Sequence, residues 1–440
     1  MTSTNNDAGN NAGNNINTAI NNETRNGIAT LSFAEVRQHL LDRSEIALLD
    51  LREEDPFAQA HPLWAANLPL SLIARDAARR IPRRETLIVL YGEQDGVDRV
   101  PLAAERLGAL GYTNVRALEG GLDGWRAAGG ELFRDVNVPS KSFGELIEHE
   151  RHTPSLSAQE VQALIDAKAD VVVLDARRFD EYQTMSIPGA TSVPGAELVL
   201  RARELAPDPE TQVIVNCAGR TRSIIGTQSL VNAGLPNPVA ALRNGTIGWK
   251  LAGQALDRGA ARQAPAASDA NRAAAQAGAR AVAQRAGVRS IAWNALPTLD
   301  APGRTVYRFD VRTPEEYAAA HLPGFGSAPG GQLVQETDHH VPVRGARLVL
   351  ADDDGVRAPM TASWLAQMGW DVYVVDPPAP RDAFSEKGLT HALHSVGDQR
   401  YRRPYEGTDA PAEAMQAYLD WEYGLVAQLA RDGTHHFQVI

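Results

Sequence analysis

One pattern occurs three times along this chain, a short apolar run that closes on Asp-x-Arg. It reads Ile46-Ala-Leu-Leu-Asp50-Leu-Arg52, then Val171-Val-Val-Leu-Asp175-Ala-Arg177, then Tyr307-Arg-Phe-Asp310-Val-Arg312. A second buried-strand candidate follows each, at Leu87–Leu90, Val213–Asn216 and Leu348–Leu350, and leads through a polar loop into a helix-period stretch. The first two repeats close alike, Leu118-Glu-Gly-Gly-Leu-Asp-Gly-Trp125 matching Leu242-Arg-Asn-Gly-Thr-Ile-Gly-Trp249. Asp50 and Asp175 lie 125 positions apart and the two tryptophans 124, so the repeats are nearly in register. Short apolar strands alternating with helical patterns predict α/β domains, each a central parallel β-sheet flanked by helices, with sites at the strands' C-terminal ends.

At 440 residues the chain is too long for one ordinary core. The repeats divide it into domains over 28–133, 150–256 and 288–377. Residues 1–27, dominated by Asn, hold too few large apolar groups to offset the entropy of ordering and are expected to be a disordered tail. The Ala/Arg-rich stretch 257–287 reads as a solvated linker helix, and 385–440 as a tail whose helical stretch packs on a domain surface. Hydrophobic residues at 43% and charged residues at 22% fit a soluble globular protein. No apolar run approaches bilayer length and no secretory pattern opens the chain, so a cytoplasmic setting is expected, with no membrane partner. A formal charge of −11 argues against nucleic acid as a partner.

Against this acidic background, one loop is basic and holds the chain's one cysteine: Asn216-Cys217-Ala218-Gly219-Arg220-Thr221-Arg222. At a strand-to-helix junction the unpaired amides and the helix dipole favour an anion, and Arg220 and Arg222 add two permanent cations. The loop is therefore expected to stabilise a Cys217 thiolate and to bind a small anion through residues 218–222. The plain alternative is a buried, inert thiol.

Together, the Asp-x-Arg strand ends, the Ile187-Pro-Gly-Ala turn, the 217–222 loop and the Gly248-Trp249 close resemble the rhodanese family. The resemblance implies tandem rhodanese-like domains of which only the middle one is catalytic, since Tyr91 and Asp352 stand where Cys217 does. It implies a sulfurtransferase without cofactor, in which Cys217 takes sulfur from a small anionic donor, thiosulfate favoured, as a persulfide and passes it to cyanide, a thiol or a protein. Asp175 and Arg177 are then a structural pair beside the loop, and Trp249 a packed support. Four residues separate Cys217 from Arg222, the loop length of rhodaneses, whereas cysteine phosphatases of the same fold place the arginine one position later, here Ser223. The thiosulfate and mercaptopyruvate enzymes carry a substrate-binding arginine where this chain has Glu181. A non-catalytic module with Cys217 as a redox-sensing thiol is the reading of a different class.

Other candidates read as bland. Asp352-Asp353-Asp354 could suggest a cation site but is expected to be solvated and to repel anions. His339-His340 and His435-His436 lack ligand spacing and are expected on the surface. Asn22-Glu-Thr and Asn244-Gly-Thr match a glycosylation pattern by chance.

Overall fold

The computed structural model describes residues 24–25, 27–94, 96–300, 302–389, 401–404, 406 and 410–440. Most of the tail expected over 1–27, Asn22 included, lies outside them. Each repeat builds its own sheet. In the middle one, Gln212–Asn216 lies centrally beside Val171–Asp175 and Val239–Leu242, with Thr191–Ser192 and Ser155–Leu156 at the edges, all parallel. The third repeats this plan with Arg289–Ile291, Asp371–Val375, Arg347–Ala351, Val306–Asp310 and Gly326–Ser327. The first does likewise and adds one antiparallel edge strand, Thr24–Arg25.

The apolar strands read as continuous because helices cover both faces of each sheet. Val213 and Val215 pack with Leu198, Ala202 and Leu230, while Ile214, on the opposite face, packs with Val161, Tyr182 and Trp249. Trp249 is fully buried, its indole N–H donating to Ala255 O at 2.7 Å.

The Asp-x-Arg motif is the same staple three times. Arg177 is 1% exposed, donates Nε and Nη2 to Asp175 at 2.9 and 2.7 Å, and spends Nη2 again on Met185 O at 2.6 Å. Arg52 on Ala60 O at 2.7 Å and Arg312 on Ala320 O at 2.6 Å do likewise. Each guanidinium ties the exit of its strand to the end of the following short helix, with its charge balanced inside the fold.

Two joining helices differ from expectation. The stretch read as solvated forms helix Asp269–Arg285, but it docks, burying Ala275, Ala279 and Val282 against the cluster of Leu198, Val356 and Met360. Small side chains permit the approach: a Cβ at Gly278 would lie 2.4 Å from Ala233 O. Helix Val138–Arg151, which joins the first repeat to the second, is buried from Val138 to Glu145 and packs on helices of the second and third repeats and of the tail. The tail adds helices Ala412–Tyr423 and Leu425–Asp432, the first of which lies on the middle repeat. Among the described residues no helix is long and apolar enough to cross a membrane.

Candidate active site

Strand Gln212–Asn216 delivers Cys217 to the C-terminal edge of the middle sheet, and helix Thr221–Asn232 begins four residues on, with Arg220 as its N-cap. The carbonyls of the turn are held by the segment that opens the Gly-Trp close. Thr246 N donates to Cys217 O at 2.9 Å and Ile247 N to Ala218 O at 3.0 Å. Gly245, at φ +53°, passes so close that a Cβ there would lie 2.4 Å from Cys217 O and 2.6 Å from Gly219 O. A hydrogen-bond chain joins this clamp to the staple: Asn216 Nδ2 donates to Asp175 at 2.9 Å and to Thr246 Oγ1 at 3.3 Å, and Thr246 Oγ1 donates to Cys217 O at 3.0 Å.

Cys217 is 2% exposed, and its thiol donates to Ser223 Oγ at 3.3 Å. Burial pushes the thiol up; Arg222 and the hydrogen bonds with Ser223 pull it down, and Glu422 adds to the rise. Spacing alone predicts a thiolate held by two arginines, and the structure differs on both counts. The desolvation of the closed loop outweighs the cationic pull, and only one arginine faces the sulfur electrostatically. Arg220 turns away and is 3% exposed. Its Nε and Nη2 donate to Glu145 at 2.7 and 2.8 Å, Nη2 also meets Glu148, and Nη1 donates to Asn244 Oδ1 at 3.0 Å and to the Tyr423 hydroxyl at 2.9 Å.

Arg222 pairs with Glu181 through two bonds of 2.8 Å. The acid standing where the thiosulfate enzymes carry an arginine is therefore a partner of the loop. The third repeat builds the same bridge, from Arg357 to Glu316. Arg222 is the main influence holding the Glu181 carboxyl down, to about 2 against an ordinary 4.5 despite the opposing effect of burial. A carboxyl depressed on folding stabilises the protein above its unfolded value and loses that contribution as pH falls through its folded one. Acid unfolding of the wild type should thus include a component between pH 4.5 and about 2 that Glu181→Gln lacks, read from circular dichroism against pH.

The loops standing in for Cys217 differ. In the first repeat Tyr91 lies opposite Asp50 as Asn216 lies opposite Asp175, so the residue in the place of Cys217 is Gly92 and not Tyr91 as the apolar runs alone suggest. Tyr91 ends the strand, fully buried, and burial raises its phenol well above the ordinary value. Asp352 is neither solvated nor a repelling surface charge: it is fully buried and accepts from Gly355 N, Val356 N and Ala358 N at 3.0, 3.1 and 2.7 Å. Asp354 is likewise buried, accepting from Val356 N at 2.7 Å and from the Arg357 guanidinium. Among the described residues no group of three or more His, Cys, Asp or Glu side chains has the arrangement of a metal site. His340 is buried and His339, His435 and His436 half-buried, so none is the open surface histidine expected. A cavity of about 320 Å³ lies where the three repeats meet, lined by Phe57, Arg178, Glu181, Arg222 and Glu336 but not by Cys217.

Sequence reasoning missed Glu145, Glu148, Gly245, Tyr418 and Glu422 as neighbours of the loop, and placed Ser223 next to it without foreseeing its hydrogen bond with the Cys217 thiol. Gly245 and Thr246 alone had a signal, since they fall inside the repeated close ending at Trp249.

Three comparisons bear on this site. A model of the rhodanese-like domain matches residues 32–128, 157–252 and 299–377. The crystal structure of a thiosulfate sulfurtransferase from Pseudomonas aeruginosa superimposes with a TM-score of 0.91 at 52% identity, covering 94% of this chain and 100% of that one. Among curated proteins, an HTH-type transcriptional regulator of Mycobacterium tuberculosis is 33% identical over 91 residues, 21% of this chain and 39% of the regulator. A putative sulfur carrier protein of Bacillus subtilis is 28% identical over 122 residues, 27% of this chain and 64% of the carrier. The chain thus spans less than two thirds of either curated relative. Three matched segments covering more than half of the sequence, each with its own parallel sheet and Asp-x-Arg staple, place the chain in the family of proteins built from rhodanese-like domains.

Proposed function

We propose that the protein is a sulfurtransferase that carries sulfane sulfur as a persulfide on Cys217, with thiosulfate as the favoured donor. The Cys217 thiolate attacks the outer sulfur of thiosulfate, the S–S bond breaks, and sulfite leaves with the electron pair. An acceptor nucleophile, cyanide in the assay and a thiol or protein in the cytoplasm, then attacks the outer sulfur of the persulfide, and the cysteine departs as thiolate. The loop 218–222 cradles the anion, Arg222 supplies the nearby positive charge, and Arg220 pins the turn to helix Val138–Arg151. The likeness to the Pseudomonas aeruginosa enzyme at 52% identity supports this reading, as does the matched sulfur carrier.

The observation that carries it is the third repeat. There the strand-to-helix loop, one residue longer, already holds a side-chain carboxyl group, Asp352, on three backbone amides, although burial and the neighbouring Asp354 raise that carboxyl well above its ordinary value. A carboxyl group extends two atoms beyond Cβ, as a persulfide does, so amides placed in this way at a strand-to-helix loop are suited to the outer sulfur of Cys217. Steady-state rates with thiosulfate and cyanide test the reading: the wild type should give parallel double-reciprocal lines, and Cys217→Ser no thiocyanate. Hydrolysis of an aryl phosphate without thiocyanate formation would contradict it.

A further inference from the structure

Helix Ala412–Tyr423 lays Met415, Tyr418 and Leu419 against Ala218 and Ile247, covering the loop that bears Cys217. One turn beyond Tyr418, Glu422 is 1% exposed. Its Oε1 accepts from the Tyr418 hydroxyl at 2.9 Å. Its Oε2 has no hydrogen-bond partner among the described residues and lies beside the turn, 3.3 Å from where a Cβ on Gly219 would stand. An unsatisfied carboxylate oxygen in so dry a place is costly and calls for a reason.

The groups around it come from three elements. Helix Val138–Arg151 brings Glu145, which opposes ionisation of Glu422, and Lys141, which favours it; the loop brings Arg220, which also favours it; its own helix brings Tyr418. Both cations are engaged elsewhere, Lys141 with Asp135 at 2.6 Å and Arg220 with Glu145 and Glu148. Burial prevails, and the Glu422 carboxyl is pushed up to about 8. On the other side of the turn, Arg222 and Ser223 pull the Cys217 thiol down while burial and Glu422 push it up. Cys217 and Glu422 are therefore two acids that each resist the other's charge, and such coupling is reciprocal.

We propose that Glu422 is a positioning residue that restrains Cys217: its carboxylate opposes a second negative charge on the loop, and withdrawing it, by protonation or with the helix, releases the thiolate for sulfur. The inference rests on reading Cys217 as the sulfur carrier. Alkylation of Cys217 by iodoacetamide against pH, in the full chain, tests it. In Glu422→Gln the thiolate midpoint should fall by about one pH unit, with a gain in rate of up to about tenfold confined to pH above about 8, where the wild-type carboxyl is charged, and no gain below it. A helix serving only as packing would change the plateau rate and leave the midpoint in place, and an unmoved midpoint in folded Glu422→Gln overturns the proposal. Should that variant not fold, Tyr418→Phe removes the hydroxyl that supports the charged carboxylate. Glu422 then stays neutral to higher pH and the midpoint again moves down; an unmoved or raised midpoint overturns the proposal. Alkylation reads the thiolate without sulfur chemistry. A shifted midpoint in a protein that takes up no sulfur from thiosulfate would therefore support the restraint and overturn the carrier reading alone.

Discussion

Replacing Gly245 with alanine is expected to cut sulfur loading on Cys217 by about 100-fold or more, the scale on which ångström misplacements of reacting groups act. Two independent reasons coincide at this residue. Its φ of +53° is left-handed backbone, which costs an L side chain about 1–2 kcal/mol. Its position also leaves no room, since the new Cβ would lie 2.4 Å from Cys217 O, 2.6 Å from Gly219 O and 3.0 Å from Ala218 C, all backbone atoms of the turn. The cheapest relief is to push the turn away, and that turn aims the sulfur at its amides. The variant should stay folded, because the clash is local and three sheets are untouched. The check is the rate of sulfur uptake from thiosulfate beside a thermal melt. Wild-type uptake in a folded Gly245→Ala would show that the clamp does not set the turn.

Replacing Arg177 with alanine is expected to be the most destabilising single change near the site, by about 3–5 kcal/mol, the usual cost of orphaning one member of a buried ion pair. Asp175 is fully buried and would keep only Arg177 N at 3.1 Å and Asn216 Nδ2 at 2.9 Å. Met185 O would lose its donor as well. Asp175, Asn216 and Thr246 lead from the lost guanidinium to Cys217 O, so loading should fall with stability. Denaturant unfolding reads the first effect. The same change in the first repeat, Arg52→Ala, should cost a similar amount and leave the Cys217 chemistry intact, because its staple touches no cysteine.

Much of this was legible in the chain because it is local or repeated. Asp175 and Arg177 are two positions apart, and any strand ending in Asp-x-Arg brings the pair together whatever surrounds it. The 217–222 loop is contiguous, so its junction between a buried strand and a helix could be read directly from the pattern of apolar residues. What stayed hidden is what the fold brings from far along the sequence. Arg220 looked like a cation for the thiolate because it stands three residues away. Its direction is set by Glu145, 75 positions earlier in the sequence, on the helix that joins the first two repeats, and by Tyr423, 203 positions later. Asp352 looked like a solvated acid for the same reason: composition gives its charge, while only the backbone of the turn decides that it faces inward onto amides. Helix Asp269–Arg285 looks solvated in the sequence because alanine contributes little apolar area of its own. Ala275 and Ala279, one turn apart beside Gly278, form instead a smooth stripe that lets two helices close.

The central claim is that sulfur travels on Cys217, and the intact mass of the protein after exposure to thiosulfate tests it most directly. The wild type should gain one sulfur atom and lose it on addition of cyanide, while Cys217→Ser should gain none. An unchanged wild-type mass, or an equal gain in Cys217→Ser, would contradict the account.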